Sequence, residues 1–273
     1  RFPRTFLFIQ RPLLEGIVTT DPISEVLPLR RVLQAAFPAI LLSVLLAGTL
    51  ISCQVPLHRQ TRFAMSTTLT VLVSASGQPD WQELFSYAQR EAWQFDHRQE
   101  QGTIGRLNRF GRGTIPEEVL GVLQTAQTVA AASGGAFDPT ILALTELWSF
   151  DAGGRLPAEP QIEQARSRVD YSKVTIGGDG LVVLPEGIGF DLGGIAKGAV
   201  VDLTADYLLE QGYEDFLLDA GGDILVSGLK QGRTPWRIAI RHPRKSQDVL
   251  GVLNLGGKGE RIAVFGDYDV DGA

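Results

Sequence analysis

Short apolar strand-like segments and amphipathic helical stripes follow one another along this chain without the regular strand–helix–strand alternation of a parallel α/β protein. Apolar and β-branched runs predict strands at residues 67–73, 181–184, 188–190, 216–218, 224–226, 236–240 and 249–255. The second and third of these flank Pro-Glu-Gly and predict a hairpin. Helical spacing of apolar residues predicts helices over residues 79–95, 116–132 and 195–212, and a short helix ending near Trp148. This order predicts an α+β fold with a mainly antiparallel sheet and flanking helices.

The composition is that of a folded, mildly acidic protein. The chain has 273 residues, of which 44% are hydrophobic and 21% charged, and a formal net charge of -6. A general nucleic-acid-binding surface is normally basic, so this balance predicts that nucleic acid is not a partner. The single cysteine, Cys53, excludes an intrachain disulfide and a cysteine-based zinc site. The histidines His58, His97 and His242 lack metal-ligand spacing, and no role is assigned to His97.

The N-terminal residues have the pattern of a targeting segment. Residues 1–28 contain four prolines and no sustained periodicity, which predicts an extension outside the folded domain. Within 29–53, Arg30-Arg31 precede an apolar run that is shorter than the ~20 residues of a spanning helix, as is typical of a secretory signal. The run ends in Leu-Ile-Ser-Cys, which resembles the bacterial lipoprotein cleavage box and implies lipidation of Cys53. The alternative is an ordinary signal peptide or a hydrophobic anchor.

Acids, paired glycines and a lysine are concentrated in Asp191-Leu-Gly-Gly-Ile-Ala-Lys-Gly-Ala-Val-Val-Asp202 and in Asp219-Ala-Gly-Gly-Asp223. Asp191 is predicted to end a strand and open a helix, where its carboxylate caps N–H groups or faces a ligand. A carbonyl of the glycine pair can ligate Mg²⁺, and Lys197, one turn into the helix, is placed to meet a phosphate. The second segment is predicted to form the floor of the same pocket. The alternatives are a capped helix with a surface lysine, and a glycine turn with solvated acids.

The segment Ser133-Gly-Gly-Ala-Phe-Asp-Pro-Thr140 has two interpretations. Its Asp-Pro pair suits the cap of a following helix. Its Ala-Phe-Asp sequence suits contact with an adenine or a ribose. The residues alone leave both interpretations open.

In combination, these motifs resemble those of the FAD:protein FMN transferases, the ApbE-type flavin transferases, over residues 54–262. The resemblance is carried, in order, by Met65-Ser-Thr-Thr68, Arg106-Leu-Asn108, Ser133–Thr140, Leu147-Trp148-Ser-Phe150, Asp191–Gly198, Asp202 and Asp219–Asp223. It implies a single α+β flavin-transferase domain. Such an enzyme cleaves the pyrophosphate of FAD with Mg²⁺, transfers FMN to a Thr or Ser hydroxyl of an acceptor flavoprotein, and releases AMP.

The resemblance also implies residue roles and partners. The residues implied to bind FAD are Met65, Ala136, Phe137, Asp138, Asp191 and Lys197. Of these, Asp191 and Lys197 are implied to be catalytic, and Gly194 to give a backbone oxygen to the metal. The implied acceptor is a subunit of an envelope redox complex, at the periplasmic face of the bacterial inner membrane, where the lipid on Cys53 anchors the enzyme. An FAD pyrophosphatase and a non-catalytic FAD-binding lipoprotein are the alternatives.

The end of the sequence departs from the family pattern. Family members continue with a Thr-Ser-Gly-Asp-Tyr type segment and a His…Asp-Pro-x-Thr-Gly motif that carries further metal ligands, whereas this sequence has Val-Phe-Gly-Asp-Tyr at 264–268 and stops at Ala273. We therefore expect a C-terminally truncated domain without part of its metal site, and a truncated or foreign tail at 263–273. Residues 260–273 also resemble the first metal-binding motif of RecJ-like DHH phosphoesterases, through Asp267, Asp269 and Asp271. The acidic balance does not favour a nuclease.

Overall fold

The structure is a computed structural model that describes residues 55–148, 156–242 and 245–256. Its strands are β1 (Leu57–Ala64), β2 (Thr67–Ser74), β3 (Arg112–Thr114), β4 (Thr175–Ile176), β5 (Leu181–Val183), β6 (Phe216–Ala220), β7 (Asp223–Ser227), β8 (Trp236–His242) and β9 (Lys245–Leu255). Its helices are α1 (Trp81–Phe95), α2 (Thr103–Phe110), α3 (Glu117–Ala132), α4 (Leu142–Thr145), α5 (Glu159–Arg166) and α6 (Ala196–Glu210), with a 3₁₀ turn at Tyr171–Lys173. Paired strands are antiparallel, which confirms the α+β prediction.

The main sheet has four strands in the order β1–β2–β6–β7. One face packs against α1 and α6, in a core that includes Leu69 and Val71 of β2, Leu84 of α1, and Val200 and Leu208 of α6. The same core continues into α2, α3 and the small sheet β3–β5–β4. Apolar burial holds α1 and α6 together, and so does the stacking of Tyr87 of α1 on Tyr207 of α6, with ring centroids 4.6 Å apart. Both helices border the cavities of the candidate site.

The β8–β9 ribbon forms a second, smaller apolar cluster with the main sheet. Trp236 and Ile238 are buried there with Leu217 of β6 and Val226 of β7. Arg237 and Ala239, which alternate with them along β8, are exposed. Successive side chains of a strand point to opposite sides, so this pattern confirms the prediction that β8 buries one face.

Most predicted elements are confirmed. The structure contains the strands predicted at 67–73, 216–218, 224–226, 236–240 and 249–255 and the helices predicted over 79–95, 116–132 and 195–212. The sequence patterns did not reveal β1, β3, β4, α2 or α5, and α5 begins at Glu159 within the predicted loop 151–160. None of the described helices is long and apolar enough to cross a membrane. The extension 1–28, the segment 29–53, the tail 263–273 and the predicted domain limits lie outside the described residues.

The predicted hairpin of residues 181–184 and 188–190 is wrong. β5 pairs with β3 and β4 instead, and residues 188–190 form no regular strand, since Gly189 makes only an isolated bridge to Ile141. The side chain of Asn108 replaces the missing strand partner. Its Nδ2 donates to the Phe190 carbonyl at 2.8 Å, and its Oδ1 accepts from the Phe190 N–H at 2.7 Å. The backbone polar groups beside buried Phe190 are thereby satisfied without a strand.

Replacing Asn108 with alanine is expected to lower the free energy of unfolding by about 1–3 kcal/mol, because it leaves both backbone groups of Phe190 without their partner. Urea denaturation followed by far-UV circular dichroism measures the change. Asn254→Ala is the control, since Asn254 is exposed on β9. Equal losses in the two variants would contradict the bridging role of Asn108.

Candidate functional site

The loop that leads into α6 is organised by Asp191. The prediction that Asp191 ends a strand and opens the helix is wrong, because α6 begins only at Ala196 and has no side-chain cap. The Asp191 Oδ1 atom instead accepts the N–H of Gly193 at 2.9 Å, and the Asp191 N–H donates to the carbonyl of Pro139 at 2.9 Å. The Asp191 side chain thus closes a tight turn with Gly193, and this turn places Asp191 ahead of the helix and beside its first turn.

The first turn of α6 is suited to a negatively charged group. Lys197 is its second residue, closer to the N-terminus than the predicted position one turn into the helix. Across residues 55–148, 156–242 and 245–256, no backbone carbonyl accepts from the N–H groups of Lys197 and Gly198. Unpaired N–H groups and the aligned peptide dipoles give a helix N-terminus a partial positive charge. The Lys197 ammonium adds a full charge at the same place.

Two cavities adjoin this turn. The first, which we call the hairpin cavity, has a volume of about 400 Å³ and lies between the β1–β2 turn, the end of α1 and the loop before α6. The second, the helix cavity, has a volume of about 870 Å³ and lies between α3, Phe137 and α6. Gly193 and Lys197 line both. The two volumes are in the range of pockets that hold small molecules and cofactors.

Asp223 joins the glycine turn between β6 and β7 to this site. It lines the helix cavity, and its Oδ2 atom lies 3.9 Å from the Lys197 Nζ. Gly221 and Gly222 form the turn itself, with φ values of 62° and 103°, and the Asp219 carboxylate accepts the Gly222 N–H at 2.9 Å. Asp223 therefore supports the predicted pocket floor, whereas Asp219 stabilises the turn.

The other predicted FAD contacts fall in different places. Met65, in the β1–β2 turn with φ 54°, lines the hairpin cavity, and Phe137 lines the helix cavity. Gly194 also lines the helix cavity, where a Cβ atom would come within 3.2 Å of the Phe137 ring. Ala136 is exposed and lines neither cavity. Its FAD contact stays a prediction, as do those of Met65 and Phe137.

The carboxylate of Asp138 is occupied by its own neighbours. Its Oδ1 accepts from the Thr140 N–H at 2.8 Å and the Thr140 hydroxyl at 2.6 Å, and its Oδ2 accepts from the Tyr171 N–H at 3.1 Å. Like Ala136, it lines neither cavity. The geometry favours the structural interpretation, in which Asp138 holds its turn against the 3₁₀ segment, and its FAD contact stays a prediction.

His97, to which the sequence patterns assign no role, lies in the hairpin cavity. Its Nδ1 atom is 3.6 Å from the Asp191 Oδ1, and the two side chains are 22% and 12% exposed. No spacing rule connects these residues, because one follows α1 and the other precedes α6. Only the packing of the two helices brings them together.

Asp96 holds a guanidinium at the edge of the same cavity. Its carboxylate accepts from the Arg98 Nε at 2.9 Å and Nη2 at 3.3 Å, and from the Gln99 amide at 3.3 Å. Burial raises the pKa of Asp96, but these hydrogen bonds outweigh it and leave the pKa below its ordinary value. Asp96 is therefore ionised at neutral pH and is satisfied by its own segment.

A complete metal site is not formed by the described side chains alone. Over the described ranges, no three His, Cys, Asp or Glu side chains are grouped closely enough to hold an ion. Gly194 lines the helix cavity, and the role of its carbonyl as a metal ligand stays a prediction.

Comparison with known sequences identifies relatives. A sequence model of the ApbE family matches residues 64–270. The chain is 35% identical over 173 residues to the FAD:protein FMN transferase of Vibrio cholerae serotype O1, covering 59% of this chain and 51% of the relative. It is 29% identical over 183 residues to that of Treponema pallidum, covering 59% and 50%. The chain thus spans about half the length of these curated relatives.

Solved structures show the same fold. The ApbE protein of Thermotoga maritima superposes with a TM-score of 0.67 at 27% identity, covering 73% of this chain and 68% of that one. Flavin transferase ApbE of Vibrio cholerae superposes with a TM-score of 0.67 at 28% identity, covering 80% and 74%. These matches confirm both the resemblance seen in the sequence motifs and the α+β architecture.

Proposed function

Because this chain belongs to the ApbE family, we propose that it transfers FMN from FAD to a Thr or Ser hydroxyl of an acceptor flavoprotein and releases AMP. The names of its relatives, FAD:protein FMN transferase, support this reaction. The observation that carries the proposal in this chain is the position of Lys197. It adjoins two cavities at once, next to the N–H groups of Lys197 and Gly198, for which no backbone acceptor lies within the described part of the chain.

The two cavities suit the shape of FAD. FAD has a flavin at one end, an adenine at the other and a pyrophosphate between them. Trp93 lines the hairpin cavity and Phe137 the helix cavity, so each offers an aromatic side chain to a planar ring. A pyrophosphate that crosses the shared edge meets Lys197 and the N-terminus of α6. This arrangement supports binding of a dinucleotide in both cavities together.

The chemistry requires stabilisation of negative charge. In the proposed reaction the acceptor oxygen bonds to the phosphorus of the FMN half, and AMP leaves with the bridging oxygen and its electron pair. Phosphoryl transfer of this kind is catalysed mainly by positioning and by charge stabilisation. Lys197 and the N–H groups of Lys197 and Gly198 supply donors that are held in place before the reaction.

We propose in addition that the reaction depends on Mg²⁺. When bound, the ion would offset charge on the phosphates, and the Gly194 carbonyl is the predicted ligand from this part of the chain. The described residues do not supply a complete metal site. Chelation with EDTA is expected to stop transfer, and added Mg²⁺ to restore it. Full activity in EDTA would contradict this requirement.

A single incubation tests the reaction. The full chain is mixed with FAD, Mg²⁺ and an acceptor domain that carries a Ser/Thr-Gly-Ala-Thr-like site, and the products are read by mass spectrometry. An FMN adduct on the acceptor together with AMP supports the transferase. AMP and free FMN without an adduct, across several acceptor domains, indicate an FAD pyrophosphatase. Bound, unchanged FAD indicates a non-catalytic flavin-binding protein.

We also propose that a lipid on Cys53 anchors the protein in the bacterial cell envelope, at the periplasmic face of the inner membrane, where its acceptor is a subunit of a redox complex. The support is the sequence Leu-Ile-Ser-Cys after a short apolar run.

Cys53→Ala is expected to abolish incorporation of labelled fatty acid and to release the protein from membranes, with the FMN transfer rate unchanged. The matched control is Ser52→Ala, which keeps the cysteine. Continued membrane attachment and labelling of the Cys53→Ala variant would contradict lipidation at this residue.

A further inference from the structure

We propose that Asp96 is a positioning residue that orients two planar groups, the Trp93 indole and the Arg98 guanidinium, to bind one planar ring of FAD in the hairpin cavity. This inference rests on the proposed function, because it concerns the substrate of that reaction. Its basis is a continuous set of hydrogen bonds that joins these three side chains through Gln99. All four residues line the hairpin cavity.

The Arg98 guanidinium is held by two hydrogen bonds to one carboxylate. Its Nε donates to the Asp96 Oδ1 at 2.9 Å, and its Nη2 donates to the Oδ2 at 3.3 Å. A guanidinium bound in this way has a defined plane, and the N–H groups that it uses lie in that plane, so its faces stay available for stacking. The Arg98 side chain is 68% exposed and that of Asp96 only 23%. The guanidinium is therefore the member of the pair that a ligand can reach.

The same carboxylate holds the Trp93 indole through Gln99. The Trp93 Nε1 donates to the Gln99 Oε1 at 2.7 Å, and the Gln99 Nε2 donates to the Asp96 Oδ2 at 3.3 Å. The indole N–H lies in the plane of the ring, so this bond restrains the ring without covering either face. One carboxylate thus restrains two flat groups at the same cavity.

The backbone around Asp96 is also held. Asp96 ends α1, and its Oδ1 accepts the Arg98 N–H at 3.0 Å while its carbonyl accepts the Gln99 N–H at 3.0 Å. Gly105 of α2 packs so closely on the Gln99 backbone that a Cβ atom at this position would overlap it. Because these contacts form within the protein, the two planar groups are ordered before a ligand binds, which lowers the entropy cost of binding.

The alternative is that Asp96 and Arg98 form an ordinary surface ion pair. Glu83 and Arg90 of α1 are such a pair, 2.9 Å apart, and neither lines the hairpin cavity or the helix cavity. The Asp96–Arg98 pair differs because it lines a cavity and is linked to an indole in that cavity.

A planar ring suits this place better than a phosphate. The Asp96 carboxylate occupies two donors of the Arg98 guanidinium and would repel an anion beside it. The faces of an indole and of a guanidinium both attract flat, delocalised rings. The two ends of FAD are rings of this kind.

The test measures FAD binding to the full chain by the quenching of flavin fluorescence. Asp96→Ala is expected to raise the Kd for FAD by about 3–30-fold and to leave kcat at saturating FAD unchanged. Displacement of FAD by AMP and by FMN is measured in parallel. The loss of affinity is expected for only one of these two competitors, and that competitor identifies the ring that the cavity binds.

Three variants accompany this measurement. Asp96→Asn keeps an oxygen for the Arg98 N–H but loses the charge, and its Kd for FAD is expected to lie between those of the wild type and Asp96→Ala. Arg98→Lys keeps the positive charge without the planar group and is expected to weaken binding of the same competitor; it also serves if Asp96→Ala does not fold. The matched control is Glu83→Ala, which breaks an Arg–carboxylate pair on α1 outside both cavities and is expected to bind FAD as the wild type does.

A wild-type Kd for FAD in Asp96→Ala and in Arg98→Lys would overturn the inference and leave the proposed function standing. An equal loss of affinity for AMP and FMN, with a lower thermal unfolding midpoint, would also overturn it, since that result indicates a general distortion of the site. A wild-type chain that binds no FAD fails the proposed function itself, before any variant is compared.

Discussion

Asp191→Ala is expected to lower kcat for FMN transfer by about 10²–10⁴-fold while the fold remains intact. The substitution removes the acceptor of the Gly193 N–H, bound at 2.9 Å, and so releases the loop that leads into α6. It also removes the carboxylate 3.6 Å from His97. Transfer is measured by mass spectrometry of the acceptor, and folding by the thermal unfolding midpoint.

Two further variants separate the contributions of Asp191. Asp191→Asn keeps an oxygen that can accept the Gly193 N–H, so it is expected to preserve the loop and still lose most of the rate. Asp179→Ala removes the same kind of bond, from the Leu181 N–H at 3.1 Å, in an exposed turn outside both cavities. It is expected to transfer FMN at the wild-type rate. Wild-type kcat in Asp191→Ala would remove Asp191 from the mechanism.

Lys197→Met is expected to lower kcat/KM for FAD by about 10²–10³-fold. Methionine preserves the length and much of the apolar stem of the side chain but removes the charge between the two cavities. The loss should appear in kcat as well as in FAD binding, because charge on the phosphoryl oxygens increases toward the transition state as AMP leaves. Steady-state kinetics over a range of FAD concentrations measure both quantities.

A second lysine provides the control for charge removal. Lys173 forms a surface ion pair with Asp170 at 3.1 Å and lines neither cavity. Lys173→Met is therefore expected to leave kcat/KM unchanged. Lys197→Arg keeps the positive charge and is expected to retain more activity than Lys197→Met. Equal kcat/KM values for Lys197→Met and the wild type would exclude a role for this ammonium group in the reaction.

Local sequence patterns predicted the long helices and most strands because those elements bury one regular face. α1 is an example: Leu84, Phe85 and Ala88 recur at helical spacing and are buried. β1 was missed because its sequence, Leu-His-Arg-Gln-Thr-Arg-Phe-Ala, is mostly polar. Among the described strands it lies at the edge of the sheet and pairs with β2 alone, so its formation depends on the neighbouring backbone more than on its own apolar residues.

The errors have a common physical cause, which is the action of a distant residue on a local pattern. Residues 188–190 are apolar, as expected of a strand, but the Asn108 amide satisfies the backbone of Phe190 in place of a neighbouring strand. Asp191 follows immediately and therefore stands in a loop. A pattern within a few residues contains no information about a partner on another helix.

The sequence by itself determined the family, the α+β class, and the presence of Lys197 near the start of a helix, because each depends on residues that are close along the chain. It also placed acids and glycines at the turns before α6 and between β6 and β7. Only the tertiary structure decided which of these groups meet. Packing of α1 against α6 brings His97 to Asp191, and pairing of β1 with β2 brings Met65 to the same cavity. Burial of apolar side chains drives that packing, and the site is formed by the polar residues at its edges.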